Sequence, residues 1–362
     1  MVPYHTSQVF IILVPAYTSM PGFLSGFMFT LVTLLALFLA PQSLLEMLSQ
    51  RAFVTHVPSI HNDTASLAVV ITGASSGIGK GAAVMLVNNG YHVFATVRKP
   101  ADRDALLQSV EAAERMAPVV IGDLTRPEDV QNLGETVHVW LSTNPSRKLV
   151  GLVNNAGTPG DMVMLDKIPI EDSLQTVWDL NVLAQLRLVQ TLLPYLRESK
   201  GRIINIGSLS GQISRPFRGA YTISKFAMEA LSDTLRQELW HDEISVSLVN
   251  PGYINTGLGQ KSDAATRAKF GEPAVRTDLN PLQRQLLTAF RSKILANLQD
   301  APLPSESTSP IIWHALTSPT PRTRYYPGTA GIGPLPAWVA VKIKALLPDR
   351  VLDRLLVKIT AS

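Results

Sequence analysis

The chain has 362 residues, 32 Lys and Arg against 28 Asp and Glu, a net charge of +4, 46% hydrophobic residues and no cysteine. Without cysteine there is no disulfide framework, no thiolate metal ligand and no thiol nucleophile, and the mild, dispersed positive charge gives a nucleic-acid partner no support. The length accommodates one large domain or two ordinary ones.

Residues 22–40 form a run of 19 without a charged side chain. About 20 helical residues match a hydrocarbon core of ~30 Å, so this run is expected to anchor the chain in a membrane, as a single pass or a hairpin. A cleaved signal peptide is the alternative. No Lys or Arg precedes the apolar run, however, and Pro41 directly after Leu39-Ala40 is a poor setting for cleavage. The flanking charges, Glu46 and Arg51, are too few to orient the segment. The expected location is the endoplasmic reticulum or another intracellular membrane. Residues 41–63 read as a linker, and Asn62-Asp63-Thr64 is a glycosylation sequon that matters only on a lumenal side.

From Leu67 onward, continuous apolar and β-branched runs alternate with helical ones: Leu67–Thr72, Tyr91–Val97, Val119–Asp123, Leu149–Asn154, Arg202–Ile206 and Ser245–Asn250. Such runs mark a parallel sheet buried on both faces, hence an α/β, doubly wound, three-layer fold. The first strand enters Thr72-Gly73-Ala74-Ser75-Ser76-Gly77-Ile78-Gly79, and a helix is expected over Lys80–Asn89. Glycines there let backbone approach a pyrophosphate, and a helix N-terminus offers free N–H groups and a positive dipole end. The spacing is neither G-x-G-x-x-G nor a P-loop.

The second strand ends Thr96-Val97-Arg98-Lys99. An acid there would accept a ribose 2′-hydroxyl and repel a 2′-phosphate. Val97 stands in its place, followed by a guanidinium suited to phosphate, so NADP is favoured over NAD.

Tyr221 and Lys225 lie one helical turn apart on one face. A cation beside a phenol favours the phenolate, which suits general acid–base work. Ser208, just after the strand at Arg202–Ile206, is placed to hydrogen-bond a substrate oxygen, and Asn181 lies 27 residues before it. The pattern reads as proton transfer in alcohol or carbonyl chemistry. Beyond Ile254 no strand is evident before an edge strand at Arg324-Tyr325-Tyr326, and 278–299 reads as an amphipathic helix. Two more helices are expected at Ala337–Leu347 and Arg350–Ile359. The first carries an apolar stripe of Trp338, Val341, Ala345 and Leu346 that suits packing over the site or, less well, a membrane surface.

Taken in order, the glycine turn, Asn154-Asn155-Ala156-Gly157, Asn181, Ser208 with Tyr221-x-x-x-Lys225, and Asn250-Pro251-Gly252-Tyr253-Ile254-Asn255-Thr256 resemble the motif series of the short-chain dehydrogenase/reductase superfamily, single-domain type. The resemblance is firm over residues 66–260, loose over 261–350 and absent over 1–62. It implies a Rossmann-type domain over 63–330, which leaves the anchor and linker expected from the apolar run to 1–62 and a helical extension to 331–362. It further implies Tyr221 as general acid and base, Lys225 holding the phenol and the nicotinamide ribose, Ser208 orienting the substrate oxygen, and Asn181 holding a water on a proton path. The cofactor contacts it implies are Gly73, Gly77 and Gly79 in the turn, with Ser75, Ser76 and Ile78 lining it. Asp123 would meet the adenine, Asn155 would close the adenosine side, Ile254 and Thr256 would meet the carboxamide, and Arg98 would meet the 2′-phosphate.

Residues 315–326 resemble the retinol and hydroxysteroid dehydrogenase branch. That implies a lipophilic alcohol and its ketone or aldehyde (steroid, retinoid or acyl-lipid) as substrates, with a small soluble ketone as the alternative. A catalytically idle NADP-binding scaffold or redox sensor is the different-class reading, and the intact Asn–Ser–Tyr–Lys set argues against it. No metal is implied, and the sequence leaves open a homodimer.

Overall fold

A computed structural model describes residues 64–120, 122–301 and 303–361. The expected anchor at 22–40, the linker and the Asn62 sequon lie outside the described residues.

The first strand, β1 (Leu67–Ile71), is buried throughout, and its alternate side chains serve two separate cores. Leu67, Val69 and Ile71 face α1 (Gly77–Asn88), α2 (Pro100–Leu107) and α9 (Ser309–Thr317), through residues such as Leu86, Leu106 and Ile312. Ala68 and Val70 face α3 (Pro127–Ser142), α5 (Ala184–Ser199) and α6 (Gly219–Glu238), through Leu133, Leu188 and Leu235. A strand's period of two thus sends neighbouring residues to opposite layers, and both layers are apolar, as a parallel sheet requires.

The remaining strands are β2 (His92–Val97), β3 (Met116–Val120), β4 (Lys148–Asn154), β5 (Arg202–Ile206), β6 (Ser245–Val249) and β7 (Arg324–Tyr325). Their order is β3-β2-β1-β4-β5-β6-β7, every neighbour pair parallel, with Val70 opposite Phe94 on one side and Leu152 on the other. The order reverses between β1 and β4, so the crevice beyond their carboxyl ends is where this architecture receives a ligand.

The expected strands are present with shifted ends. β3 starts three residues earlier than expected and stops at Val120. Pro118 disguises it, yet proline is tolerated because β3 is the sheet edge. Helix α1 begins at Gly77, within the glycine turn, rather than at Lys80.

Between β4 and β5 lie α4 (Gln175–Trp178) and α5, with the wider π turn Asp179–Leu183 between them. After β6, α7 (Leu258–Phe270) and α8 (Pro281–Gln299) form a cover. Phe217, Leu279, Leu287, Phe290 and Ile294 close a small apolar core beneath it. A capping box opens α8, with Asn280 and Gln283 exchanging side-chain and backbone hydrogen bonds.

In the tail, α10 (Ala337–Leu346) and α11 (Asp349–Ala361) match the expected helices. The packed face of α10 is Ala337, Ala340 and Val341, set against Leu209, Ile213 and Ala330. This corrects the expected stripe, since Ala345 and Leu346 are exposed. Among the described residues no helix is long and apolar enough to cross a membrane.

Candidate active site

The glycine turn takes its shape from two backbone demands. Gly73 and Gly77 have φ of +67° and +62°, a region L-residues with a Cβ avoid. A Cβ on Gly73 would sit 2.9 Å from the Ala156 backbone, and one on Gly79 would sit 2.5 Å from both the Gly73 carbonyl and Asn155 Nδ2. Asn155 explains the second: its amide donates to the carbonyls of Thr72 (2.8 Å) and Gly73 (3.1 Å). Thr72 Oγ1 accepts from the backbone of Asn155 and Ala156. The turn is therefore laced to the end of β4. Ser76 occupies the N-cap of α1 without capping it, so the first N–H groups of α1 have no side-chain acceptor. This cradle fits a pyrophosphate.

The cradle opens into a cleft of about 860 Å³. Gly73, Ser75, Ser76, Gly77, Ile78, Arg98, Asp123, Asn155, Ser208, Tyr221, Lys225, Ile254 and Thr256 all line it. Two of the residues singled out from sequence do not. Gly79 packs behind the turn. Asn181 is buried in the π turn, where its Nδ2 donates to the Thr158 carbonyl (2.9 Å) and Ser224 Oγ (3.0 Å), while its Oδ1 accepts from Thr158 N–H (2.8 Å). That side chain ties β4's loop to α6, so it positions the wall of the cleft.

At one end of the cleft, Asp123 lies in the loop after β3, with one carboxylate oxygen accepting from Thr125 N–H and Oγ1. Arg98 is exposed on the cleft wall, and among the described residues it has no ion-pair partner within 4 Å. At the other end, α6 presents Tyr221 and Lys225. The Lys225 ammonium is buried, 5.6 Å from the Tyr221 ring centre, and donates to the Ile206 carbonyl at 2.8 Å. Burial pushes its pKa down, and Tyr221 opposes that shift. An ammonium has three donors, so donors are left for a ligand hydroxyl.

Ser208 is held from behind. Its N–H donates to Asn250 Oδ1 (3.0 Å), and its Oγ accepts from Ser210 N–H (3.1 Å). Asn250 Nδ2 in turn donates to Glu229, whose other oxygen accepts from Arg324 Nε at 2.9 Å. Gly207 leaves the room for this, because a Cβ there would fall 2.0 Å from Asn250 Oδ1.

Sequence reasoning missed Asn250 as a support, together with Glu229, Ser224 and Arg218. The Asn-Pro-Gly motif flagged Asn250, and only the fold shows what it holds. Among the described residues no group of His, Asp and Glu is arranged to hold a metal.

A glycine-rich cradle at the sheet's switch point, joined by one cleft to a tyrosine–lysine pair, defines a dinucleotide-dependent oxidoreductase. The family model for short chain dehydrogenases matches residues 67–267, and the chain belongs to that family. It is 33% identical to retinol dehydrogenase 5 of Mus musculus, over 80% of this chain and 87% of that one. It is 37% identical to 3-amino-tetrahydro-pyrrolizinone reductase of Xenorhabdus hominickii, but over only 53% of this chain and 63% of that relative's length. A short-chain dehydrogenase structure from Streptomyces avermitilis superposes with a TM-score of 0.62 at 26% identity, covering 82% of this chain and 96% of that one.

Proposed function

We propose that this oxidoreductase uses NADP(H) to interconvert a lipophilic alcohol and its ketone or aldehyde. The observation that carries the reading is the single cleft. It holds the uncapped cradle and Arg98 at one end, and Ser208, Tyr221 and Lys225 at the other.

The bound nicotinamide supplies or accepts the hydride. Tyr221 then donates its phenolic proton to the substrate oxygen in reduction and takes it back in oxidation. Ser208 Oγ donates to the same oxygen and stabilises charge building there. Lys225, fixed by the Ile206 carbonyl, holds its ammonium beside the phenol and offers its remaining donors to the nicotinamide ribose. Arg98, which has no acid to pair with among the described residues, supports the choice of a 2′-phosphate over a free ribose.

The lipophilic character rests on two things: the apolar side chains that line the cleft, Ile213, Leu258, Ile294 and Leu298, and the likeness to a relative named for retinol. Membrane attachment through residues 22–40 would bring the cleft to substrates dissolved in a bilayer. The test is Tyr221→Phe, assayed with NADPH and a panel of lipophilic ketones and aldehydes. Turnover should fall by about 10²–10⁴, while NADPH binding by fluorescence titration stays nearly unchanged. Retention of more than about a tenth of the rate would overturn the assignment.

A further inference from the structure

Arg218 lies three residues before Tyr221, at the N-cap of α6, and lines the cleft. Its guanidinium carbon sits 4.7 Å from the centre of the Tyr221 ring. The residue is 8% exposed, and its Nη1 is buried without a hydrogen-bond partner. Among the described residues no carboxylate comes within ion-pair distance of it. The other charged group facing it is Arg215, which donates to Tyr253 Oη (3.1 Å) and the Ala330 carbonyl (2.6 Å) and so adds positive charge. Four carboxylates among the described residues line the cleft: Asp161 is bonded to Ser173 and Lys269, Asp179 to Gln175 and Asp123 to Thr125, while Asp172 is exposed and not within ion-pair distance of Arg218.

A cation this deeply buried without a counter-charge is costly. The backbone leading to it is costly as well. Phe217, the preceding residue, has φ +61°, a conformation that a bulky side chain adopts only when its surroundings compel it. Those surroundings are visible: the Phe217 ring packs 5.5 Å from Phe290 of the cover helix α8. Two unfavourable features thus converge to hold one guanidinium beside the proton-transfer tyrosine. The cradle and Arg98, at the other end of the cleft, already account for the cofactor phosphates.

We infer that the substrate carries an anionic group (carboxylate, phosphate or sulfonate) on a lipophilic body, and that Arg218 binds this group next to the reacting carbon. The inference rests on the function proposed above and narrows its substrate class to amphipathic acids. A guanidinium meets such an oxyanion with two parallel N–H donors, and the water-poor setting strengthens the pairing. Arg218 is thus a specificity residue on the substrate side of Tyr221, as Lys225 is a cofactor residue on the other.

The test titrates the full-length, NADP-loaded protein calorimetrically with octanoate, octyl phosphate and octanol, which share one chain and differ in the head. At least one anionic ligand should bind ten-fold or more tightly than octanol, and the identity of that ligand separates carboxylate from phosphate recognition. Arg218→Met should collapse the ratio towards one, and Arg218→Lys should keep part of it. Thermal unfolding of both variants confirms that they are folded. Equal binding of anions and octanol by the parent protein, or an undiminished ratio in a folded Arg218→Met, would overturn the inference. Binding is read without turnover. Anion preference in a protein that reduces no ketone would refute the proposed reaction and leave the anion site standing.

Discussion

Replacing Asn250 with leucine tests whether the buried network behind Ser208 sets its position. The two side chains are of similar size, so the change removes polar atoms without opening a large cavity. Asn250 is fully buried, and its backbone bond to the Tyr325 carbonyl is unaffected. Two side-chain bonds disappear. Ser208 N–H loses its acceptor and becomes a buried orphan, at about 1–3 kcal/mol. Glu229 loses a donor to a charged group, at about 1.5–3 kcal/mol, and keeps only Arg324. The sum, about 2.5–6 kcal/mol, is a large share of an ordinary stability of about 5–15 kcal/mol. At about 2–4 °C per kcal/mol for a large domain, Tm should drop by about 5–24 °C. With its backbone released, Ser208 no longer presents Oγ reproducibly, and a displacement of about 1 Å can cost ~10² in rate. The expected kcat is ten- to a hundred-fold lower, with KM for NADPH within about threefold, because the cradle is untouched. Asn250→Asp separates the two bonds. It keeps an acceptor for Ser208 but sets acid against Glu229, so it should lose stability while retaining more of kcat than the leucine variant. Differential scanning calorimetry and steady-state kinetics decide it. A leucine variant within about 1 kcal/mol of the parent stability, or within threefold in kcat, would refute the argument.

Three further outcomes are expected. The parent should prefer NADPH to NADH, and Val97→Asp with Arg98→Ala should reverse the ratio of kcat/KM; equal use of both cofactors by the parent counts against Arg98. Burial first, and Arg147 second, pull the His92 pKa down to about 4, so the unfolded chain takes up that proton before the folded one does. The contribution of His92 is therefore complete above pH 6.5 and lost as pH falls towards 4, about 1–2 kcal/mol after allowing for solvent screening; His92→Gln should flatten the fall in Tm over that window, and identical slopes would reject it. Deleting residues 1–45 should release the protein from membranes in a carbonate wash while kcat on a water-soluble ketone changes by less than about threefold; a deletion variant that pellets as before would shift attention to α10 and α11.

What the sequence made legible follows the range of the forces involved. The cradle could be read because its requirements are local: positive φ at Gly73 and Gly77, and a helix start immediately after. The tyrosine–lysine pair could be read because one helical turn brings it together. Legibility failed where distant segments meet. Asn250 and Glu229 are 21 residues apart, and nothing local says that both support Ser208. Asn181 showed as a motif residue, but its partners Thr158 and Ser224 come from two other elements. The third strand was misplaced for another reason. Pro118 is a negative signal for a strand, and only knowing that β3 is the edge removes the objection. On α10 the periodicity was correct, but the buried side was set by the small residues Ala337 and Ala340, which allow close approach to Leu209 and Ile213.

The two halves of the cleft differ in how the chain builds them, and that difference has a functional consequence. The cofactor half comes from β1, β2 and β4 and the turns that follow them, elements locked in parallel register on both sides. The wall on the proposed substrate side includes residues of α7 and α8, such as Leu258, Ala265, Ile294 and Leu298, and α8 is packed on a small apolar core outside the sheet. Changes in α8 can therefore reshape what is bound without disturbing the cradle, whereas changes in the turn act on cofactor affinity first. Arg218 stands at the boundary, because its helix belongs to the sheet layer while Phe217, which fixes its approach, belongs to the cover. On the proposed reading, substrate selection by Arg218 and proton transfer by Tyr221 fall on the first turn of α6, with the guanidinium carbon 4.7 Å from the ring centre.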